Sequence, residues 1–187
     1  MSVDRPGGSN AEIEERLFEQ ISSLRRVRAL RLNVMCKILP NLYLGSIFDA
    51  TDPEQMDSNE VITDIVCVHG MRQTNYGEKP YNVLYININD SPEENISVHF
   101  CEAVEFIHLA RLQKRVEYLV NDEAFLGAVL VHCLAGVSRS ASIVVAYLLT
   151  VTNLNYSLAL TYLTSRRPCA NPNFGFRMQL YRFSTDV

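Results

Sequence analysis

No stretch of this chain approaches the ~18 consecutive apolar residues of a membrane span. The N-terminus, Met1-Ser2-Val3-Asp4-Arg5-Pro6, lacks the apolar core of a secretory signal. Residue 2 is Ser, not the Gly that N-myristoylation requires, so no membrane anchor is evident. The five cysteines are odd in number and show no CxxC spacing. Without a secretory signal, they read as reduced thiols rather than as a disulfide framework or a zinc site, and the expected location is cytoplasmic, with the nucleus also open. His69, His99 and His108 have no ligand spacing, so neither a metal nor a cofactor is expected. An excess of positive charge is missing too. Lys and Arg number 17 against 21 Asp and Glu, a formal net charge of -4, which argues against nucleic acid as the main partner.

What is present fits one soluble globular domain: 187 residues, 48% hydrophobic and 20% charged. Residues 1–9 are rich in Gly, Pro and Ser and read as a disordered start. A capping-box string, Ser9-Asn10-Ala11-Glu12, then opens a helix expected over 10–33. Its stripe is Ile13, Leu17, Ile21 and Leu24, with Glu residues early and Arg residues late, as the helix dipole favours. This N-terminal extension, residues 1–34, packs on its own domain or serves a partner. A folded domain is expected over 35–187.

Within that domain, Lys37 to Gly45 reads as short strands about a turn, and Asp49 to Asp57 as a short helix with a loop. Val61–His69 and Val83–Ile88 read as strands. A helix follows Asn95-Ile96-Ser97, with Phe100, Ala103, Val104 and Ile107 on its apolar face. Gly127–Val131 is a short continuous apolar run, the pattern of a strand buried on both faces. Helices are expected over 140–151, 157–165 and 174–185. Strands alternating with helices give an α/β fold, a central mostly parallel twisted sheet flanked by helices, plus the helical extension.

The chemistry concentrates at Val131-His132-Cys133-Leu134-Ala135-Gly136-Val137-Ser138-Arg139-Ser140. A buried strand ends, a loop of short residues follows, and a helix begins near Arg139. Such a turn points successive backbone N–H groups inward and adds the positive end of the helix, which makes an anion cradle of phosphate size. Arg139 closes it with a planar two-pronged donor. That field favours a thiolate at Cys133, and a thiolate facing a bound phosphate can attack phosphorus. Cleavage of a phosphate ester also needs an acid for the leaving oxygen. Asp90, in Asn89-Asp90-Ser91-Pro92 directly after a strand, is the candidate, because loops after parallel strands meet at one sheet edge. The remaining cysteines, Cys36, Cys67, Cys101 and Cys169, read as small apolar fillers. Cys67, at the end of a central strand, is in addition placed where an oxidative link to Cys133 can be envisaged.

His-Cys-x5-Arg-Ser with an Asp about 40 residues earlier resembles the dual-specificity branch of the protein tyrosine phosphatases. Lys37-Ile38-Leu39-Pro40, Leu42-Tyr43-Leu44-Gly45 and Arg167-Pro168-Cys169-Ala170-Asn171-Pro172-Asn173 with Gly175-Phe176 are similar to its small atypical members. The resemblance covers roughly 35–187. It implies Cys133 as nucleophile, Arg139 as phosphate ligand and transition-state stabiliser, and Asp90 as acid and then base. It implies Ser140 as hydrogen-bond donor to the leaving thiolate, with the backbone amides of Leu134, Ala135, Gly136, Val137, Ser138 and Arg139 holding the phosphoryl oxygens. His132 supports the loop. The implied substrate is a phosphoprotein carrying phosphotyrosine and phosphoserine or phosphothreonine, within MAP kinase signalling. Two other readings stay open: a phosphoprotein-binding module with impaired catalysis, and a lipid phosphatase, which the absence of Lys at Leu134, Ala135 and Val137 disfavours. About a dozen residues near Lys114 to Phe125 look inserted relative to this family, before the nucleophile strand.

Overall fold

A computed structural model describes residues 34–57, 62–70, 74–112, 119–120, 123–124 and 127–186. The helix expected over 10–33 lies outside the described residues, as does most of the segment around 114–125.

Strands β1 (Cys36–Leu39) and β2 (Leu42–Ser46) form an antiparallel hairpin. Its turn residue Asn41 has φ 59°, a left-handed conformation that Asn tolerates better than most side chains. Two one-turn helices follow, α1 (Ile47–Ala50) and α2 (Pro53–Met56). Ser46 and Asp49 build a reciprocal capping box at α1; Asp52 caps α2, and Pro53 supplies its preset φ. Strands β3 (Ile62–Val68) and β4 (Asn82–Ile86) come next. A short 3-10 turn over Ser97–His99 leads into α3 (Phe100–Leu112). The two-residue strands β5 (Leu119–Val120) and β6 (Glu123–Ala124) pair with each other. Strand β7 (Ala128–Cys133) and helices α4 (Arg139–Val151), α5 (Tyr156–Arg166) and α6 (Phe174–Asp186) complete the described chain.

The main sheet runs β1-β2-β7-β3-β4. β7 is parallel to both neighbours, β3 and β4 are parallel, and only β1 is reversed, so the expected mostly parallel sheet is observed. Every residue of β7 is buried, as a strand covered on both faces requires. Alternation along it divides the core into two layers. Val129, Val131 and Cys133 join Phe100, Ile107, Tyr147 and Phe176 on one side. Ala128 and Leu130 join Ile65, Cys67, Ala50 and Met56 on the other. Helix α4 is the central element of the first layer, with all residues from Arg139 to Leu149 buried. On α3 the buried face is Phe100, Ala103, Ile107 and Ala110, with Val104 only half-buried. Cys101 is exposed on its flank, so it is not the core filler that composition suggested.

Cys67 and Cys133, the pair for which an oxidative link is envisaged, lie at the ends of adjacent strands and close enough to interact electrostatically. Cys67 pairs across the sheet with His132, and residues paired across strands share a face. Cys133, one residue later, turns to the opposite face and packs in the other cluster.

Phe100 is fully buried and meets Phe183 edge-to-face at 5.1 Å, which joins α3 to α6. Phe100→Ala should therefore cost ~3–5 kcal/mol in urea unfolding. A loss below ~1 kcal/mol would show that this layer repacks without it.

Candidate active site

The C-terminal ends of the parallel strands meet at one edge, and β7 delivers Cys133 there. Strand β2 runs alongside, placing Ser46 opposite Cys133 and Gly45 opposite His132. The loop from Leu134 to Ser138 then reverses into α4. Its tightest point is Gly136, at φ 68°. A Cβ there would lie 2.5 Å from the Gly45 carbonyl oxygen and 2.5 Å from Arg167 Nη2. Glycine is thus required twice, for the left-handed backbone and for the close approach.

This turn is fastened from outside. Arg167, 2% exposed, donates from Nε to the Gly136 carbonyl at 2.8 Å and from Nη2 to the Ala135 carbonyl at 3.5 Å. Its Nη1 reaches the Val34 carbonyl at 3.1 Å. The buried carboxylate of Asp49 stands 3.9 Å from Nη2 and also accepts from the Ser46 backbone at 2.6 Å. Ile47 N–H donates to the Leu134 carbonyl at 3.3 Å, and Asn171 N–H to the Val137 carbonyl at 2.7 Å. The loop carbonyls are therefore turned outward onto these partners. That leaves N–H groups for the concave side.

Cys133 is 1% exposed at the floor of the loop. Its Sγ accepts from the Gly136 N–H at 3.3 Å and from the Ser140 hydroxyl at 3.1 Å. Both donors stabilise negative charge on sulfur. Arg139 opens α4, and its Nη1 donates to the Ile88 carbonyl at 3.2 Å. Its Nε is buried without a hydrogen-bond partner among the described residues; Asp90 Oδ2 lies 3.9 Å away. A buried guanidinium N–H with no acceptor is costly unless an anion completes it.

Asp90 stands on the loop after β4, as expected of the acid candidate, with its side chain 37% exposed. Its Oδ1 accepts from the Ser138 hydroxyl at 2.6 Å and from Asn173 Nδ2 at 2.9 Å. Ser138 occupies the N-cap position of α4 but its hydroxyl caps no helix N–H; it is spent on Asp90 instead. Helix α6 closes on this loop at Gly175, where a Cβ would fall 1.9 Å from the Pro92 carbonyl oxygen. Only glycine allows that approach.

Behind the loop, on the other face of the sheet, lies His132. Its Nε2 meets the Tyr76 hydroxyl at 2.8 Å and its Nδ1 the Cys133 carbonyl at 3.5 Å. Burial, with His69 adding to it, pushes the imidazole down to about 4, so the ring is neutral and acts as a strut.

Cys133, Arg139, Asp90 and Ser140 thus converge at one edge, as do the residues from Leu134 to Ser138. Sequence reasoning missed Asp49, the anchoring role of Arg167, the Ser138 and Asn173 side chains on Asp90, and Tyr76 on His132. Each acts through a contact between distant segments. The only sequence signal was that Arg167 and Asn173 fall in strings shared with the resembling family.

A thiol with two donors, a loop of inward amides, a buried guanidinium and a carboxyl at the rim suit nucleophilic attack on a phosphate ester. The comparisons agree. The family model "Dual specificity phosphatase, catalytic domain" matches residues 42–186. Dual specificity protein phosphatase 15 of Mus musculus is 44% identical over 151 residues, which cover 81% of this chain and 58% of that protein. Dual specificity protein phosphatase 22 of Homo sapiens is 43% identical over 151 residues, covering 81% of this chain and 74% of that one. The crystal structure of DUSP15 superposes with TM-score 0.71 at 41% identity, over 81% of this chain and 88% of that chain. The chain thus spans little more than half the length of the mouse relative.

The loop geometry can be checked directly. Gly136→Ala should lose at least ~2 kcal/mol in denaturant unfolding, from left-handed strain and the contacts with Gly45 and Arg167. A change within ~0.5 kcal/mol would mean the loop shifts freely.

Proposed function

We propose that this chain, which belongs to the dual specificity phosphatase catalytic-domain family, hydrolyses phosphotyrosine and phosphoserine or phosphothreonine esters in proteins through a cysteinyl-phosphate intermediate. The observation that carries this reading is Cys133 Sγ, held by two donors under a loop that Arg139 closes.

In the first step the Cys133 thiolate attacks phosphorus. An S–P bond forms and the ester P–O bond breaks, while the proton of Asp90 goes to the leaving oxygen. Two donors already fill Oδ1 of Asp90, so the proton is carried on Oδ2. Arg139 and the amides from Leu134 to Arg139 hold the phosphoryl oxygens and stabilise the charge that develops on them. In the second step the Asp90 carboxylate takes a proton from water. The resulting oxygen attacks phosphorus, the S–P bond breaks, and inorganic phosphate leaves. The Ser140 hydroxyl, 3.1 Å from sulfur, stabilises the departing thiolate.

The substrate is a phosphoprotein rather than an inositol lipid. Leu134, Ala135 and Val137 bring no lysine to the loop for a multiply charged head group. A target in MAP kinase signalling follows from the resemblance, and work in the cytoplasm or nucleus from the free cysteines. The binding-module reading is disfavoured because the sequence keeps Cys133, Arg139 and Asp90 together, with Asp90 Oδ2 3.9 Å from Arg139 Nε.

Wild-type protein in EDTA should hydrolyse a small aryl phosphate, and Cys133→Ser should not; equal rates from the two would contradict the cysteine mechanism. The rate should be bell-shaped in pH with an acidic optimum, since free enzyme needs thiolate and protonated Asp90 together. Asp90→Asn should slow alkyl-type leaving groups ~10²–10⁴-fold and aryl ones with acidic leaving groups much less. Equal loss on both would remove Asp90 from the role of acid.

A further inference from the structure

The face of the sheet opposite the catalytic thiol holds a second cluster that the chemistry above does not use. Cys67 ends β3, His69 follows it by two residues, and His132 lies on the adjacent β7, paired with Cys67. All three are buried, at 1%, 5% and 0% exposure. Their ligand atoms lie within 4.8 Å of one another, and Cys67 Sγ is 3.2 Å from His69 Nε2. Tetrahedral zinc binds sulfur at ~2.3 Å and imidazole nitrogen at ~2.0–2.1 Å, which sets its ligand atoms roughly 3.5 Å apart. The three atoms are therefore close to ligating positions before any ion arrives.

The outer contacts also suit a metal. With its Nδ1–H directed at the Cys133 carbonyl, His132 keeps the Nε2 lone pair for another partner. Orientation of the second ring nitrogen by a backbone carbonyl is the usual support for a metal-bound histidine. At present Nε2 meets the Tyr76 hydroxyl at 2.8 Å, and Thr74 Oγ1 lies 3.2 Å from His69 Nε2 and 4.0 Å from Cys67 Sγ. Two hydroxyls thus stand where a metal or its fourth ligand would sit. Thr74 and Tyr76 also line a cleft of about 590 Å³ open to the surface, so the two hydroxyls stand between that cleft and the buried cluster.

We propose that Cys67 Sγ, His69 Nε2 and His132 Nε2 form a binding site for a thiophilic divalent cation of the zinc class, with Tyr76, Thr74 or water as fourth ligand. On binding, the Cys67 thiol proton leaves to solvent and the S–metal bond forms. The Tyr76 hydroxyl then gives up its contact with His132. The ion would sit behind the phosphate loop, one residue from the nucleophile but on the other side of the sheet. The pattern escapes sequence spacing because the third ligand comes from a neighbouring strand.

Loss of activity on adding zinc cannot test this, since Cys133 itself would bind the ion. The test uses full-length Cys133→Ser protein titrated with Co²⁺. One equivalent should produce a near-ultraviolet thiolate charge-transfer band together with the intense visible bands of tetrahedral cobalt, and Zn²⁺ should abolish both. Cys67→Ser in that background should remove the charge-transfer band. His69→Gln should weaken binding by well over ~100-fold, beyond the ~10–100-fold that loss of an outer partner typically costs. No charge-transfer band at one equivalent would overturn the site and leave the three residues as a hydrogen-bonded cluster only. A band that persists in the Cys67→Ser protein would do the same. Should Cys67→Ser fail to fold, as judged by its metal-free circular dichroism, unchanged affinity in His69→Gln decides against the proposal.

Discussion

The buried guanidinium of Arg167 holds the phosphate loop to the rest of the fold. It reaches the carbonyls of Gly136, Ala135 and Val34 from one position, tying the segment after α5, the nucleophile loop and the start of β1 together. A buried cation needs a counter-charge and full hydrogen bonding. Asp49 supplies the charge at 3.9 Å, and the outward-facing loop carbonyls accept the protons. The same contacts oblige residue 136 to be glycine, since any Cβ would meet both Arg167 and Gly45. Inward amides, and with them any affinity for an anion, follow from carbonyls being held outward. The loop geometry is thus set largely by groups that lie outside its concave side.

Strand β7 serves two side-chain clusters because a strand alternates its faces. Cys133 turns towards α4, under Gly136 and Ser140. His132, one residue before, turns to the opposite layer with Cys67 and His69. Cys67 and Cys133 therefore pack in different layers of the core. His132 links the two sides through its contact with the Cys133 carbonyl, so whatever binds its Nε2 acts on the backbone that carries the nucleophile.

Most of the architecture could be read from pattern. The continuous apolar run before His132 announces a strand buried on both faces, and alternation of strands with helices announces a parallel sheet. Cys133, Arg139 and Ser140 could be grouped because they flank a single turn between a strand and a helix. Asp90 was legible because loops after parallel strands share an edge. What could not be read involves pairs far apart in sequence: Asn173 on Asp90, Tyr76 on His132, and Arg167 on Gly136. Periodicity reports which way a residue faces, not which partner it meets. The Cys67–His69–His132 cluster escapes the sequence for the same reason, since spacing within the chain is blind to neighbours across a sheet. Cys101 was misread because apolar character alone does not place a residue on the buried side of a helix.

The central claim is that phosphate passes through the sulfur of Cys133. It is tested most directly by mixing the enzyme with a ³²P-labelled phosphopeptide, quenching in acid within the first turnover, and mapping the labelled peptide. The account predicts an acid-stable phosphorus–sulfur adduct on the peptide containing Cys133. Phosphate release with no labelled enzyme at any time, or label on another residue, would contradict it.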